Sequence, residues 1–67
     1  MIYRYRIDGI NFATPAEALA RAMETVERGG DLDRLALANS QRPEALAALQ
    51  RGEPWLLGDT VLITPVP

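Results

Sequence analysis

All of the formal charge on this chain's side chains sits on seven arginines and nine carboxylates, and histidine, cysteine and lysine are absent. That inventory removes most covalent and acid-base chemistry. Without histidine or cysteine there is no Ser-His or Cys-His nucleophile pair and no histidine- or thiolate-based zinc site. Without lysine there is neither a Schiff base nor the phosphate-binding lysine of a Walker loop, and no glycine-rich fingerprint stands in for it. Carboxylate chemistry remains, and it requires two acids held across a cleft with one pKa raised by burial. The acids are placed otherwise: Asp8 and Asp59 fall in turns, Asp31 at a helix cap, Glu17 in a capping box, and Glu24 one helical turn from Arg28. Asp31 and Asp33, spaced i, i+2, lack the further oxygen ligands and the terminal glutamate of a calcium loop. The expectation is a chain with no catalytic residue, no metal and no cofactor.

Arginines and aromatics are the remaining candidates for recognition. Tyr3-Arg4-Tyr5-Arg6 interleaves the two, yet strand alternation sends the tyrosines to one face and the arginines to the other, so no single face both stacks bases and binds backbone. A winged-helix reading of the second half offers nucleic acid only Gln41, Arg42, Gln50 and Arg51. Glu44 and several alanines stand where a recognition helix presents basic or amide groups. A net charge of −2 and a pI near 4.9 also argue against attraction to nucleic acid or to an anionic membrane.

The elements that carry these residues follow from the pattern. Tyr3, Tyr5 and Ile7 alternate with Arg4 and Arg6 at the period of a half-buried strand. Asp8-Gly9 suits a two-residue type I′ turn, in which both central residues take positive φ. That turn places Ile7 opposite Ile10, Arg6 opposite Asn11 and Tyr5 opposite Phe12. Thr14-Pro15-Ala16-Glu17 then combines an N-cap threonine, a proline at the first helical position and a capping-box glutamate. The helix it opens runs to about Arg28, with Ala16, Leu19, Ala20, Met23 and Val26 as its apolar stripe. Glu17 with Arg21 and Glu24 with Arg28 are i, i+4 pairs on a second, solvated stripe.

Gly29-Gly30 ends that helix, and Asp31 caps a second one that begins at Leu32 and turns Leu32, Leu35 and Ala36 inward. Asn39-Ser40-Gln41-Arg42 is expected to be a turn, because Pro43 disfavours helical geometry at Arg42 and is itself acceptable as a first helical residue. A third helix then carries Ala45, Leu46 and Leu49 inward to about Arg51, with Gly52 as its stop. Trp55-Leu56-Leu57 and Thr60-Val61-Leu62-Ile63-Thr64 flank Gly58-Asp59 as a second hairpin. A type II′ turn there pairs Leu56 with Val61 and Trp55 with Leu62, and Pro65 and Pro67 are expected to stop further pairing.

The expected fold class is therefore α+β in the order ββαααββ: one domain over residues 1–67, an antiparallel sheet of two hairpins with three helices packed on one face. A chain of 67 residues buries a smaller fraction of its surface than a larger one. With no disulfide or metal to help, regular local structure or self-association has to stabilise it. The opening residues hold no uninterrupted apolar stretch, so a soluble, cytoplasmic protein with no membrane contact is expected. Redox compartment is unreadable without cysteine.

In that arrangement the helices cover Tyr3, Tyr5, Ile7, Ile10, Phe12, Leu56, Val61 and Ile63. The opposite face shows Arg4, Arg6 and Asn11 beside Trp55, Leu57 and Leu62, with nothing left to cover them. Arginine and tryptophan are enriched in binding hot spots, and an uncovered apolar patch with a polar rim commonly marks an interface. The competing placements are Trp55 inside the core and Arg4 and Arg6 as charges that merely protect an edge. The functional expectation is a non-enzymatic protein-binding module contacting its partner through Arg4, Arg6, Asn11, Trp55, Leu57 and Leu62. Small inhibitors or adaptors from phage and mobile elements that block a larger complex, anti-CRISPR proteins among them, have this format. The all-arginine, alanine-rich composition suits a GC-rich bacterial or phage background. Two rivals are a homodimeric phage structural component that hides Trp55 and Leu62 by self-association, and the winged-helix nucleic-acid binder.

Overall fold

Asp8 and Gly9 adopt φ values of 47° and 80°, as a type I′ turn requires. Around that turn β1 (Arg4–Ile7) pairs antiparallel with β2 (Ile10–Phe12), and the expected register holds: Tyr5 faces Phe12, Arg6 faces Asn11, and Ile7 faces Ile10. The computed structural model describes residues 2–67. Tyr5 and Ile7 are buried, Arg4 and Arg6 exposed, so the alternation read from the sequence is realised in space.

Helix α1 (Pro15–Arg28) starts at the anticipated cap, where the Thr14 hydroxyl accepts from the Glu17 N–H at 3.2 Å. Its buried side is turned slightly from the expected stripe. Leu19 and Val26 are buried and Met23 is half-buried, but Ala16 and Ala20 are exposed and Ala18 and Ala22 take their places inside. The i, i+4 pairs of α1 are not closed: the ion pairs among the described residues are Arg34 with Asp31 and Arg51 with Glu53.

Among the described residues two helices replace the three expected. Helix α2 runs unbroken from Leu32 to Gln50 with Pro43 in its interior, so residues 39–42 are helical and form no turn. A proline there costs about 3 kcal/mol through one lost hydrogen bond and a ring clash. Tertiary contacts on both sides of it outweigh that cost. Ala38 lies before the proline and Ala45, Ala48 and Leu49 after it, all buried, and Gln41 shares their stripe at helical spacing. A break at residue 42 would detach one half of this stripe from the core. Leu32 (77% exposed) and Ala36, expected inside, face outward instead, leaving Leu35 and Leu46 half-buried at the stripe's margin.

The second hairpin pairs one residue out of the expected register. β3 (Trp55–Leu57) and β4 (Val61–Val66) match Leu57 with Val61, Leu56 with Leu62 and Trp55 with Ile63. Gly58 and Asp59 both take positive φ, 58° and 54°, so the turn is of the I′ hand where II′ was expected. The Thr60 N–H closes it on the Leu57 carbonyl at 3.0 Å, and Thr60 is left as a third loop residue. Because side chains alternate faces, this one-residue slip exchanges the inner and outer residues of β3 and leaves those of β4 as expected. Leu57 becomes core and Leu56 surface, while Val61 and Ile63 stay inside and Leu62 outside, as expected.

The two hairpins merge into one antiparallel sheet of order β2-β1-β4-β3. β4 pairs with β1 through Arg6 with Thr64, Tyr5 with Pro65 and Arg4 with Val66. Pro65 therefore extends the pairing it was expected to stop. Hydrogen-bonded and non-hydrogen-bonded pairs alternate along antiparallel strands, and Tyr5 directs its own N–H and C=O toward Phe12. The proline thus meets Tyr5 where no donor is required, and β3 ends before reaching its other side. Both helices pack on the face that carries Tyr5, Ile7, Leu57, Val61 and Ile63.

Candidate interaction surface

No element among the described residues lies over the opposite face of the sheet. The observed registers lay Asn11, Arg6 and Thr64 in one row across β2, β1 and β4, Arg4 and Val66 in a second, and Leu62 and Leu56 in a third. Strand spacings near 4.8 Å and a rise near 3.3 Å per residue put the Arg6 and Leu62 Cα atoms roughly 8 Å apart. Leu56 and Leu62 are 48% and 54% exposed, neighbours across the β3–β4 pair. Arg6 is oriented by its neighbour, since its Nε–H donates to Asn11 Oδ1 at 3.1 Å. The face is therefore basic and polar over β1 and β2, and apolar over β3 and β4.

Of the residues proposed from sequence for partner contact, Arg4, Arg6, Asn11 and Leu62 lie exposed on this face. Leu57 does not, being fully buried beneath the helices. Trp55 shares Leu57's side of the strand and is half-buried against the core, with its Nε1 sealed from solvent and no hydrogen-bond acceptor in reach. Leu56 is the surface residue that sequence reasoning placed inside. A three-residue loop Gly58-Asp59-Thr60 was the signal that would have found it.

The residues proposed for nucleic acid are spread along the second half of α2 and its C-terminal cap. Gln41 is half-buried and its Oε1 accepts from the Gly58 N–H at 3.0 Å. Arg51 is engaged by Glu53, Nε to Oε2 at 2.6 Å, which holds the Glu53 carboxyl below and the Arg51 guanidinium above its ordinary pKa. Arg42 and Gln50 are exposed, two helical turns apart on α2. With α2 continuous, the turn expected at residues 39–42 between a second and a third helix is not formed.

Among the described residues no group of three or more acids is gathered at a spacing that would hold a metal ion. No helix among them is long and apolar enough to cross a membrane. Comparison with protein-family models, with curated proteins and with solved structures gave no match.

Proposed function

We propose that this domain is a non-enzymatic protein-binding module, of the inhibitor or adaptor kind, whose contact surface is the open sheet face formed by Arg4, Arg6, Asn11, Leu56 and Leu62. The observation that supports this reading is the exposure of Leu56 and Leu62 side by side on a face that no helix covers, directly beside Arg6. Water-exposed leucines on a rigid sheet gain free energy when a partner buries them, at about 25 cal/mol per Å² of apolar surface. The adjoining arginines supply the charged, directional contacts from which hot spots are commonly built. The sheet fixes the backbone positions of all five residues and Asn11 orients Arg6, which lowers the entropy that binding must overcome.

The test is capture from a lysate of the native host on immobilised protein, comparing wild type with the Arg6→Glu/Leu62→Asp double variant and with Glu24→Arg on the exposed side of α1. The expected result is a partner retained by wild type and Glu24→Arg and lost by the double variant, with all three giving the same far-UV circular dichroism. Capture that survives the double variant overturns the assignment. A dimer at micromolar concentration that the double variant abolishes would instead put a second copy of this chain on the same face.

A further inference from the structure

We infer a second, separate site in the helical layer: the groove between the start of α1 and the middle of α2 takes a small carboxylate with an apolar body, its carboxylate on Arg42. The groove has a volume of about 450 Å³ and is lined by Ala16, Leu19, Asn39, Arg42, Pro43 and Leu46. Small-molecule sites span roughly 300–1,000 Å³ and pair a mostly apolar wall with a few polar groups. This groove has that size and that division of labour.

Charge complementarity selects the ligand. Arg42 is exposed, and the ion pairs among the described residues involve Arg34 and Arg51 only. Arg42 lines the groove and has no ion-pair partner among the described residues, and a planar guanidinium receives a carboxylate through two parallel N–H donors. An alkyl chain extending from that carboxylate lies along Leu19, Pro43 and Leu46.

Pro43 shapes one wall of the groove. It sits in the interior of a 19-residue helix, where proline is the least favourable residue, and it forms part of the groove wall. Having no N–H, it leaves the carbonyl of Asn39, another lining residue, without its helical donor.

The test is a titration of ¹⁵N-labelled protein with octanoate, octan-1-ol and octyltrimethylammonium, read from backbone amide shifts. Expected are saturable octanoate shifts confined to Ala16, Leu19, Asn39, Arg42 and Leu46. The alcohol, and octanoate with the exposed-site variant Arg42→Gln, should bind roughly tenfold more weakly or worse, the loss of one charge-assisted contact. Equal binding of the alcohol or the cation, unchanged affinity in Arg42→Gln, shifts centred on Leu56 and Leu62, or no saturation up to about 50 mM octanoate would each overturn the site. The open sheet face takes no part in this outcome, so the two proposals stand or fall separately.

Discussion

The Gly58 backbone N–H donates to Gln41 Oε1 at 3.0 Å across 17 positions of sequence, tying the tip of the second hairpin to the middle of α2. One helical turn earlier, the Cβ of Ala38 lies 3.1 Å from where a Gly58 side chain would begin, and Arg34 reaches the same loop. Its Nη1 donates to the Asp59 carbonyl at 3.2 Å and to Thr60 Oγ1 at 3.0 Å. Arg34, Ala38 and Gln41 thus form a helical edge on which residues 58–60 are moulded. That contact fixes the three-residue loop, and with it the register that turns Leu56 and Leu62 outward.

Gln41→Ala should leave a part-buried N–H without a partner, at a cost of about 1–3 kcal/mol. For a domain of this size that lowers the melting temperature by roughly 5–20 °C. Thermal denaturation followed by circular dichroism checks it; an unchanged midpoint would show that the loop holds its place without α2.

Two glycine substitutions separate backbone strain from lack of space. Gly9→Ala imposes a left-handed conformation (φ +80°) in open surroundings and should cost about 1–2 kcal/mol. Gly58→Ala adds a Cβ only 2.9 Å from the Arg34 carbonyl and 3.1 Å from Ala38 Cβ. It should cost at least about 2 kcal/mol more than Gly9→Ala in urea denaturation. Equal costs would mean that the loop is not seated on the helix.

Trp55→Phe removes an indole N–H that is buried without an acceptor. Relief of that unsatisfied donor offsets part of the lost packing, so the change should stay within about 1 kcal/mol of wild type. Trp55→Ala should cost about 2–3 kcal/mol, less than a fully buried tryptophan because this one is only partly buried. Urea denaturation followed by circular dichroism compares the two.

Pro43→Ala restores the missing α2 hydrogen bond and removes the ring clash at an exposed position. Even after the greater freedom of the unfolded chain is subtracted, the variant should gain about 1–2 kcal/mol. Chemical denaturation gives the sign directly. A loss of stability would mean that the proline ring packs more tightly than its exposure indicates.

The Glu53 carboxyl titrates below its ordinary range because of its hydrogen bond to Arg51, with direct charge attraction adding to it. A carboxylate whose folded pKa lies below its unfolded one contributes stability above the unfolded pKa and loses it as pH falls through the folded pKa. Both groups are exposed, so the effect on stability is small. Arg51→Ala should return Glu53 to the ordinary carboxylate range in a ¹³C NMR titration; an unmoved value would separate the shift from this pair.

Local chemistry was legible wherever it acted alone. Asp8-Gly9 dictated a turn and a register, Thr14 with Pro15 dictated a helix start, and Asp31 capped α2 by accepting from the N–H groups of Asp33 and Arg34. Legibility ended where distant contacts decided between local options. Pro43 is a breaking signal in sequence, but the stripe of Ala38, Gln41, Ala45 and Leu49 gains more from one rod than from two. Gly58-Asp59 fits two loop lengths equally well, and only its seat on Arg34, Ala38 and Gln41 selects the longer. From that one residue of difference came the exchange of Leu57 for Leu56 on the candidate surface. The positions of Arg4, Arg6 and Asn11 survived because their hairpin carries its own register.

The absence of cysteine permits a direct measurement of where a partner sits. Single cysteines placed at Leu62, on the open sheet face, and at Ala20, exposed on α1, are each coupled to a bulky maleimide and used for capture. Binding through the open sheet face predicts that the label at position 62 abolishes capture and the label at position 20 leaves it intact. Capture that persists with position 62 labelled, or disappears with position 20 labelled, contradicts it.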